Sequence, residues 1–282
     1  SPFGCFAGTL LGSAAGLIVN ATLSPNAVMA YGWRIPFLFG LAVAFGGIII
    51  RRNFVEKVPH QPPAKSPLGE SFRLHWRTIL HLILLVAGLS VGFYTTFVYS
   101  ATWLKQVAGV SAKTGFEINT IAMALSLGAV LLAGGLSDRF GRRPVIAVVT
   151  GLLMVVSYPL MAWMAGGQWI AVFVGQVVLS LLVSAAAGVL ASTMAELAPW
   201  RVRCTVLSIS YNFGVALLGG TTPLVAAWLV SRTGFSLAPA VYLAISGALS
   251  FFGALALPKT MPHRLTTEFQ SIRGRPAARP VA

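Results

Sequence analysis

Gly134-Gly135-Leu136-Ser137-Asp138-Arg139-Phe140-Gly141-Arg142-Arg143-Pro144, read as GGLSDRFGRRP, packs four charges into six residues between two long apolar runs. Charge is scarce elsewhere: 9% of the 282 residues are charged and 56% are hydrophobic, a balance foreign to soluble globular domains. A hydrocarbon core about 30 Å thick takes about 20 mostly apolar residues in helix. Eight runs of that order occur: Phe3–Leu23, Trp33–Ile50, Ile79–Leu104, Ile118–Leu136, Val145–Met164, Trp169–Ala195, Val206–Val230 and Leu237–Leu257. Strands of a membrane barrel would alternate apolar and polar over about ten residues, which these runs do not. The fold class expected is an all-α membrane protein with eight transmembrane helices. The first run lacks a basic leader and a cleavage pattern, and the chain opens on Ser1, so the expectation is a stretch of a longer protein rather than a secreted one.

Orientation follows from Lys and Arg in alternate loops. Sixteen of the twenty fall in 51–77, 139–143, 201–203 and 259–279, and only Arg34, Lys105, Lys113 and Arg232 on the other side. Short cytoplasmic loops are positive, so both chain ends are expected inside, in a plasma (inner) membrane. The net charge of +14 is thus a topology signal, spread over four loops rather than gathered on the one basic face that nucleic acid would need. Anionic headgroups of the bilayer are the expected counter-charge. Cys5 and Cys204 make no metal or disulfide spacing and read as small packing residues.

The connection 51–78 carries Pro59, Pro62, Pro63 and Pro67 and divides residues 1–50, with two runs, from residues 79–257, with six. Ser66-Pro67 suits the start of a short interfacial helix with Phe72 and Trp76 on one face, and 258–282 is a basic tail.

GGLSDRFGRRP then falls at the turn between the fourth and fifth runs. Arginines alone would serve as topology anchors, but Gly134 and Gly141 point to close packing and a tight turn. Asp138 amid Arg139, Arg142 and Arg143 can pair locally, making a charged latch at the membrane edge.

The pattern Gly134-x-x-x-Asp138-Arg139-x-Gly141-Arg142-Arg143 resembles the loop signature of major facilitator superfamily transporters. Tyr31-Gly32-Trp33-Arg34-Ile35-Pro36-Phe37-Leu38-Phe39-Gly40 resembles the metabolite:proton symporter branch, as do Ala195-Glu196-Leu197-Ala198-Pro199-Trp200-Arg201-Val202-Arg203 and Tyr211 to Pro223. The resemblance implies a twelve-helix fold of which this chain holds the fifth to twelfth helices: the last two of the N-terminal half (1–50), the cytoplasmic linker (51–78) and the six-helix C-terminal half (79–257). It also implies a secondary transporter that rocks one half against the other, with Glu196, Arg201 and Arg203 in the same cytoplasmic gating network as the latch.

Substrate chemistry is fainter. Glu56, Glu70, Glu117, Asp138, Glu196 and Glu268 all lie at helix ends, in loops or in the tail, and Glu117 alone lies outside the positive side. Tyr94, Gln176 and Asn212 are the chosen cavity-lining candidates, although such polar groups also serve as helix-to-helix glue. HExxH and paired intrahelical acids do not occur, so no enzyme, metal or cofactor is expected, and neither a pore ring nor a filter argues for a channel. The expected partners are a small-molecule substrate and protons. Osmosensing proline and betaine carriers of the branch commonly end in a long coiled coil, whereas 258–282 has four prolines and no heptads. A proton-coupled organic-acid carrier is therefore expected, with an osmolyte symporter as the alternative.

Overall fold

The computed structural model describes residues 2–53 and 66–258. The centre of the expected linker, including Lys57 and Lys65, and the basic tail after 258 lie outside the described residues. Every regular element among the described residues is helical: α1 Pro2–Thr22, α2 Pro25–Ala30, α3 Ile35–Asn53, α4 Pro67–Phe93, α5 Ser100–Val107, α6 Ala112–Phe140, α7 Arg142–Met164, α8 Trp169–Leu197, α9 Arg203–Phe213, α10 Thr222–Thr233 and α11 Ala238–Leu255. Two π-helical stretches, Tyr94–Tyr99 and Gly214–Gly220, join α4 to α5 and α9 to α10 without a break. The result is six stretches long and apolar enough to cross a membrane: Leu68–Val107, Lys113–Phe140, Arg142–Met164, Trp169–Leu197, Trp200–Thr233 and Ala238–Leu255. These six contain or closely match the last six of the eight expected runs. The first two runs are helical, as α1 and α3, but are not among the six.

Local chemistry sets the boundaries. Ser111 caps α6 by accepting from the Thr114 amide at 3.1 Å, and Gly234, at φ +67°, closes α10 in the left-handed conformation. Pro67 at the first turn of α4 lacks only an N–H that has no helical partner there. The short helix expected from Ser66-Pro67 forms as the first part of α4: two helices meet at a kink at His75, where the backbone is non-helical with φ −123° and ψ 17°, and the second continues as the third expected run. Phe72 and Trp76, on either side of this kink, are both exposed.

The six spans pack as a bundle in which α8 lies against both α6 and α7, α7 against α11, α11 against α4, and α4 against α9. Leu82, Leu85, Ile146, Leu190 and Val206 fill one core cluster, while Val91, Trp103, Leu153, Val183 and Leu243 fill the other. Leu132, Val155 and Phe252 remain exposed around the outside. In water such a surface would drive association; facing lipid it costs nothing. Small residues let the helices close. A Cβ on Gly188 of α8 would stand 2.3 Å from the Val130 carbonyl oxygen of α6, so only glycine permits this crossing. Ser250 of α11 ties its helix to α4, donating to the Leu84 or Leu85 carbonyl at 3.0 Å and accepting from the Gly88 amide at 2.7 Å.

Candidate functional site

The GGLSDRFGRRP turn is a single residue wide. α6 ends at Phe140, Gly141 turns at φ +93°, and α7 begins at Arg142. That φ falls where a side chain is strained, which explains the glycine there. The turn returns Arg142 over the last coil of α6, where its Nη1 lies 2.6 Å from Asp138 Oδ1 and also donates to the Ser137 hydroxyl. Ser137 in turn donates to the Gly134 carbonyl at 2.7 Å. On its other side, the Arg142 Nε donates to Glu196 Oε1 at 3.2 Å, joining the α6–α7 turn to the end of α8. The Arg142 side chain is 18% exposed and Glu196 24%, while Asp138 is 66% exposed. The inner pair therefore carries more of the energy, and the outer one, screened by solvent, is worth about 0–1 kcal/mol.

The remaining residues of the expected network are placed differently. Arg143 leaves the cluster and donates from Nη2 to the Leu255 carbonyl at 2.8 Å, capping the end of α11. Arg139 and Arg201 are exposed, and Arg203 is half-buried with its Nε unpartnered. Among the described residues Glu196 makes its ion pair with Arg142, not with Arg201 or Arg203. Gly134 is in ordinary contact only: a Cβ there would meet the Gly188 carbonyl oxygen at 3.7 Å, and the close approach belongs to Gly188 itself. Glu117 is exposed at the far end of α6 and lies 4.0 Å from Lys113.

A cavity of about 490 Å³ opens between α1, α4, α8 and α9. It is lined by Phe6, Phe93, Tyr94, Tyr211, Ser90 and Cys5, together with aliphatic residues such as Leu190 and Val215. Among the described residues no Lys, Arg, Asp or Glu lines it. Phe6 meets Phe93 and Phe97 edge-on, each at 5.7 Å between ring centres, which anchors α1 on the bundle. The π-helical stretch of 214–220 sets Gly219 directly against Tyr94 and Ser90: a Cβ at Gly219 would stand 2.9 Å from two ring carbons and 3.2 Å from Ser90 Cβ. π-Helical insertions concentrate at functional sites, and here they flank the aromatic wall.

Of the three expected cavity residues, Tyr94 is on this wall and two are not. Gln176 is 1% exposed, and its amide nitrogen is spent inside the bundle on the Thr96 carbonyl at 2.6 Å, Asn119 Oδ1 at 3.0 Å and the Ser100 hydroxyl at 3.3 Å. It joins α8 to α6 and to the Tyr94–Tyr99 stretch. Asn212 is exposed and donates to the Ser208 carbonyl at 2.9 Å on its own helix. Cys5 and Cys204 are likewise corrected, since both are exposed rather than packed. Phe6, Phe93, Ser90 and Tyr211 also line the cavity without being among the three expected residues, and no sequence signal singles them out.

The described residues thus form a polytopic helical bundle with a cavity between helices and a charged turn at one end, and comparison with known proteins places the chain in a family of transporters. The model of the family described as "Sugar (and other) transporter" matches residues 95–261. The chain belongs to this family, within the major facilitator superfamily. It is 31% identical over 278 residues to a putative proline/betaine transporter of Staphylococcus aureus (strain COL), covering 95% of this chain and 58% of that protein. It is 30% identical over 273 residues to the glycine betaine/proline/ectoine/pipecolic acid transporter OusA of Dickeya dadantii (strain 3937), covering 92% of this chain and 54% of that protein. The chain thus spans little more than half the length of these curated relatives. Among solved structures, a bacterial homolog of the human lysosomal transporter Spinster, inward-facing and unoccupied, superposes with a TM-score of 0.54 at 18% identity, covering 89% of this chain and 66% of that one. That likeness speaks for the fold.

Proposed function

We propose that this chain is the larger part of a proton-coupled symporter that takes up small zwitterionic solutes of the proline and betaine type by alternating access. The observation that carries this reading is the cavity wall, which is largely aromatic and aliphatic and, among the described residues, holds no ionisable group other than tyrosine and one thiol. A solute with no net charge is at home against such a wall. An organic acid needs a fixed cation, because an unpaired charge at membrane depth costs several kcal/mol. The names of the relatives favour the same class. The organic-acid expectation rested on the tail, which has no bearing on the chemistry of the cavity. In this reading α1 and α3 both span the bilayer and count with the six other spans as the fifth to twelfth helices. Residues 51–78 link the two halves at the cytoplasmic face of the plasma membrane, and both described ends lie inside.

The Arg142–Glu196–Asp138 cluster is the proposed gate. It holds the ends of α6, α7 and α8 together in one state, and a change of a few kcal/mol in that contact is enough to shift the balance between states.

The test is a competition panel on the full-length protein in a host lacking its own osmolyte carriers. Labelled proline uptake should be blocked by betaine and by a protonophore, and not by citrate or 2-oxoglutarate. Block by the acids with indifference to betaine would replace this reading with the organic-acid one, and conductance without accumulation would make the protein a channel.

A further inference from the structure

Ser90, 3% exposed, is among the residues that line the cavity, and its buried hydroxyl has no hydrogen-bond partner. A serine on a helix ordinarily donates back to a carbonyl one turn earlier, as Ser100, Ser157 and Ser210 do here. Ser90 does not, so a donor that costs energy when unsatisfied stands at the cavity wall. Beside it, Phe93 and Tyr94 sit with ring centres 5.7 Å apart, Phe6 lies 5.7 Å from Phe93, and Tyr211 closes the wall from α9. The volume of about 490 Å³ falls within the range of about 300–1,000 Å³ usual for small-ligand sites.

We propose that Phe6, Phe93, Tyr94 and Tyr211 form an aromatic subsite for the quaternary ammonium group of a betaine-type zwitterion, with the Ser90 hydroxyl donating to its carboxylate. The chemistry is specific. A trimethylammonium carries its charge under methyl groups and offers no N–H, so it gains nothing from carbonyl acceptors and much from the negative faces of aromatic rings. A carboxylate offers no donor and needs one, which is what Ser90 has free. Gly219 fixes this geometry, because its bare Cα lets the 214–220 stretch press on both Tyr94 and Ser90. The proposal rests on the zwitterion reading above and adds to it the residues and the preference for a methylated nitrogen.

The experiment compares betaine with 3,3-dimethylbutyrate, its isostere with a neutral carbon in place of the ammonium nitrogen, as competitors of labelled proline uptake by the full-length protein. Wild type should favour betaine by about 30-fold, equivalent to about 2 kcal/mol at 1.4 kcal/mol per decade. Tyr94→Leu and Tyr211→Leu should each cut that ratio at least threefold, whereas Tyr94→Phe and Tyr211→Phe should keep it. Ser90→Ala should weaken betaine and proline alike, by about tenfold, since both carry the carboxylate. Membrane abundance of each variant, read by immunoblot, normalises the rates, and the phenylalanine variants carry the test should a leucine variant not accumulate. An unchanged ratio in the leucine variants, a loss of the ratio in the phenylalanine variants, or equal competition in wild type overturns the subsite while proline uptake leaves the zwitterion reading standing. Absence of both proline and betaine uptake in wild type removes both.

Discussion

Gly188→Ala should destabilise the bundle measurably, and Gly134→Ala should not, although the two glycines face one another across α6 and α8. The added Cβ at 188 would lie 2.3 Å from the Val130 carbonyl oxygen and 3.1 Å from its carbon, both rigid backbone atoms. Real Cβ contacts lie beyond 3.0 Å, so the helices must part by the better part of an ångström along one of the most extensive interfaces in the molecule. Overpacking of that kind costs about 1–3 kcal/mol. At 134 the nearest atom would be 3.7 Å away, an ordinary contact, and the gain in helix propensity offsets any small loss. At about 2–4 °C per kcal/mol for a chain of this size, Gly188→Ala should lower Tm by about 3–10 °C, and Gly134→Ala should move it by under about 2 °C. The assay is thermal unfolding of the purified protein in detergent, followed by tryptophan fluorescence or by loss of monodisperse protein on gel filtration. Equal stabilities, or a greater loss at Gly134, would refute the helix crossing on which the rest of the packing depends.

Three further outcomes are expected. Glu196→Gln keeps an acceptor for the Arg142 Nε but turns a charge-assisted bond into a neutral one, a difference of about 1–1.5 kcal/mol; transport should fall about five- to tenfold at unchanged membrane abundance, and normal transport would reduce the cluster to a topology anchor. Asp138→Asn, in an exposed pair, should shift Tm by less than about 2 °C while still slowing uptake, and a large loss of stability would mean that the pair holds the fold rather than a state. Cysteines introduced at Gly109 and at Arg201 should react oppositely with an impermeant thiol reagent on intact cells, the first labelled and the second protected; the reverse pattern would invert the orientation read from the basic loops.

Much of the architecture was legible in the sequence because membrane helices announce themselves by length and apolarity alone. The runs 118–136, 145–164 and 169–195 lie inside α6, α7 and α8, and the one-residue turn at Gly141 follows from a glycine between two arginine-bearing helix ends. Run 79–104 begins after Arg73, His75 and Arg77, which interrupt the apolar pattern where α4 itself kinks, at His75. The π-helical stretches leave no trace in periodicity. Gln176 and Asn212 lie on α8 and α9, outside those stretches, and are not among the residues that line the cavity, whereas Tyr211 is. Polar residues in an apolar helix are visible at once, but whether each faces a neighbour or a cavity depends on helix rotation, which sequence spacing fixes only to within a turn. The latch fared differently. Arg142 and Asp138 are four apart and local, so their pairing was readable, whereas the choice of Arg142 rather than Arg201 or Arg203 as the partner of Glu196 depends on how α8 crosses the α6–α7 turn.

The central claim, a neutral zwitterion carried with protons, is tested most directly by flux in proteoliposomes holding the purified full-length protein. With an inward pH gradient imposed, labelled betaine should accumulate above its external concentration, and collapse of the gradient should release it. Accumulation of labelled citrate under the same gradient, with betaine remaining at equilibrium, would contradict the account.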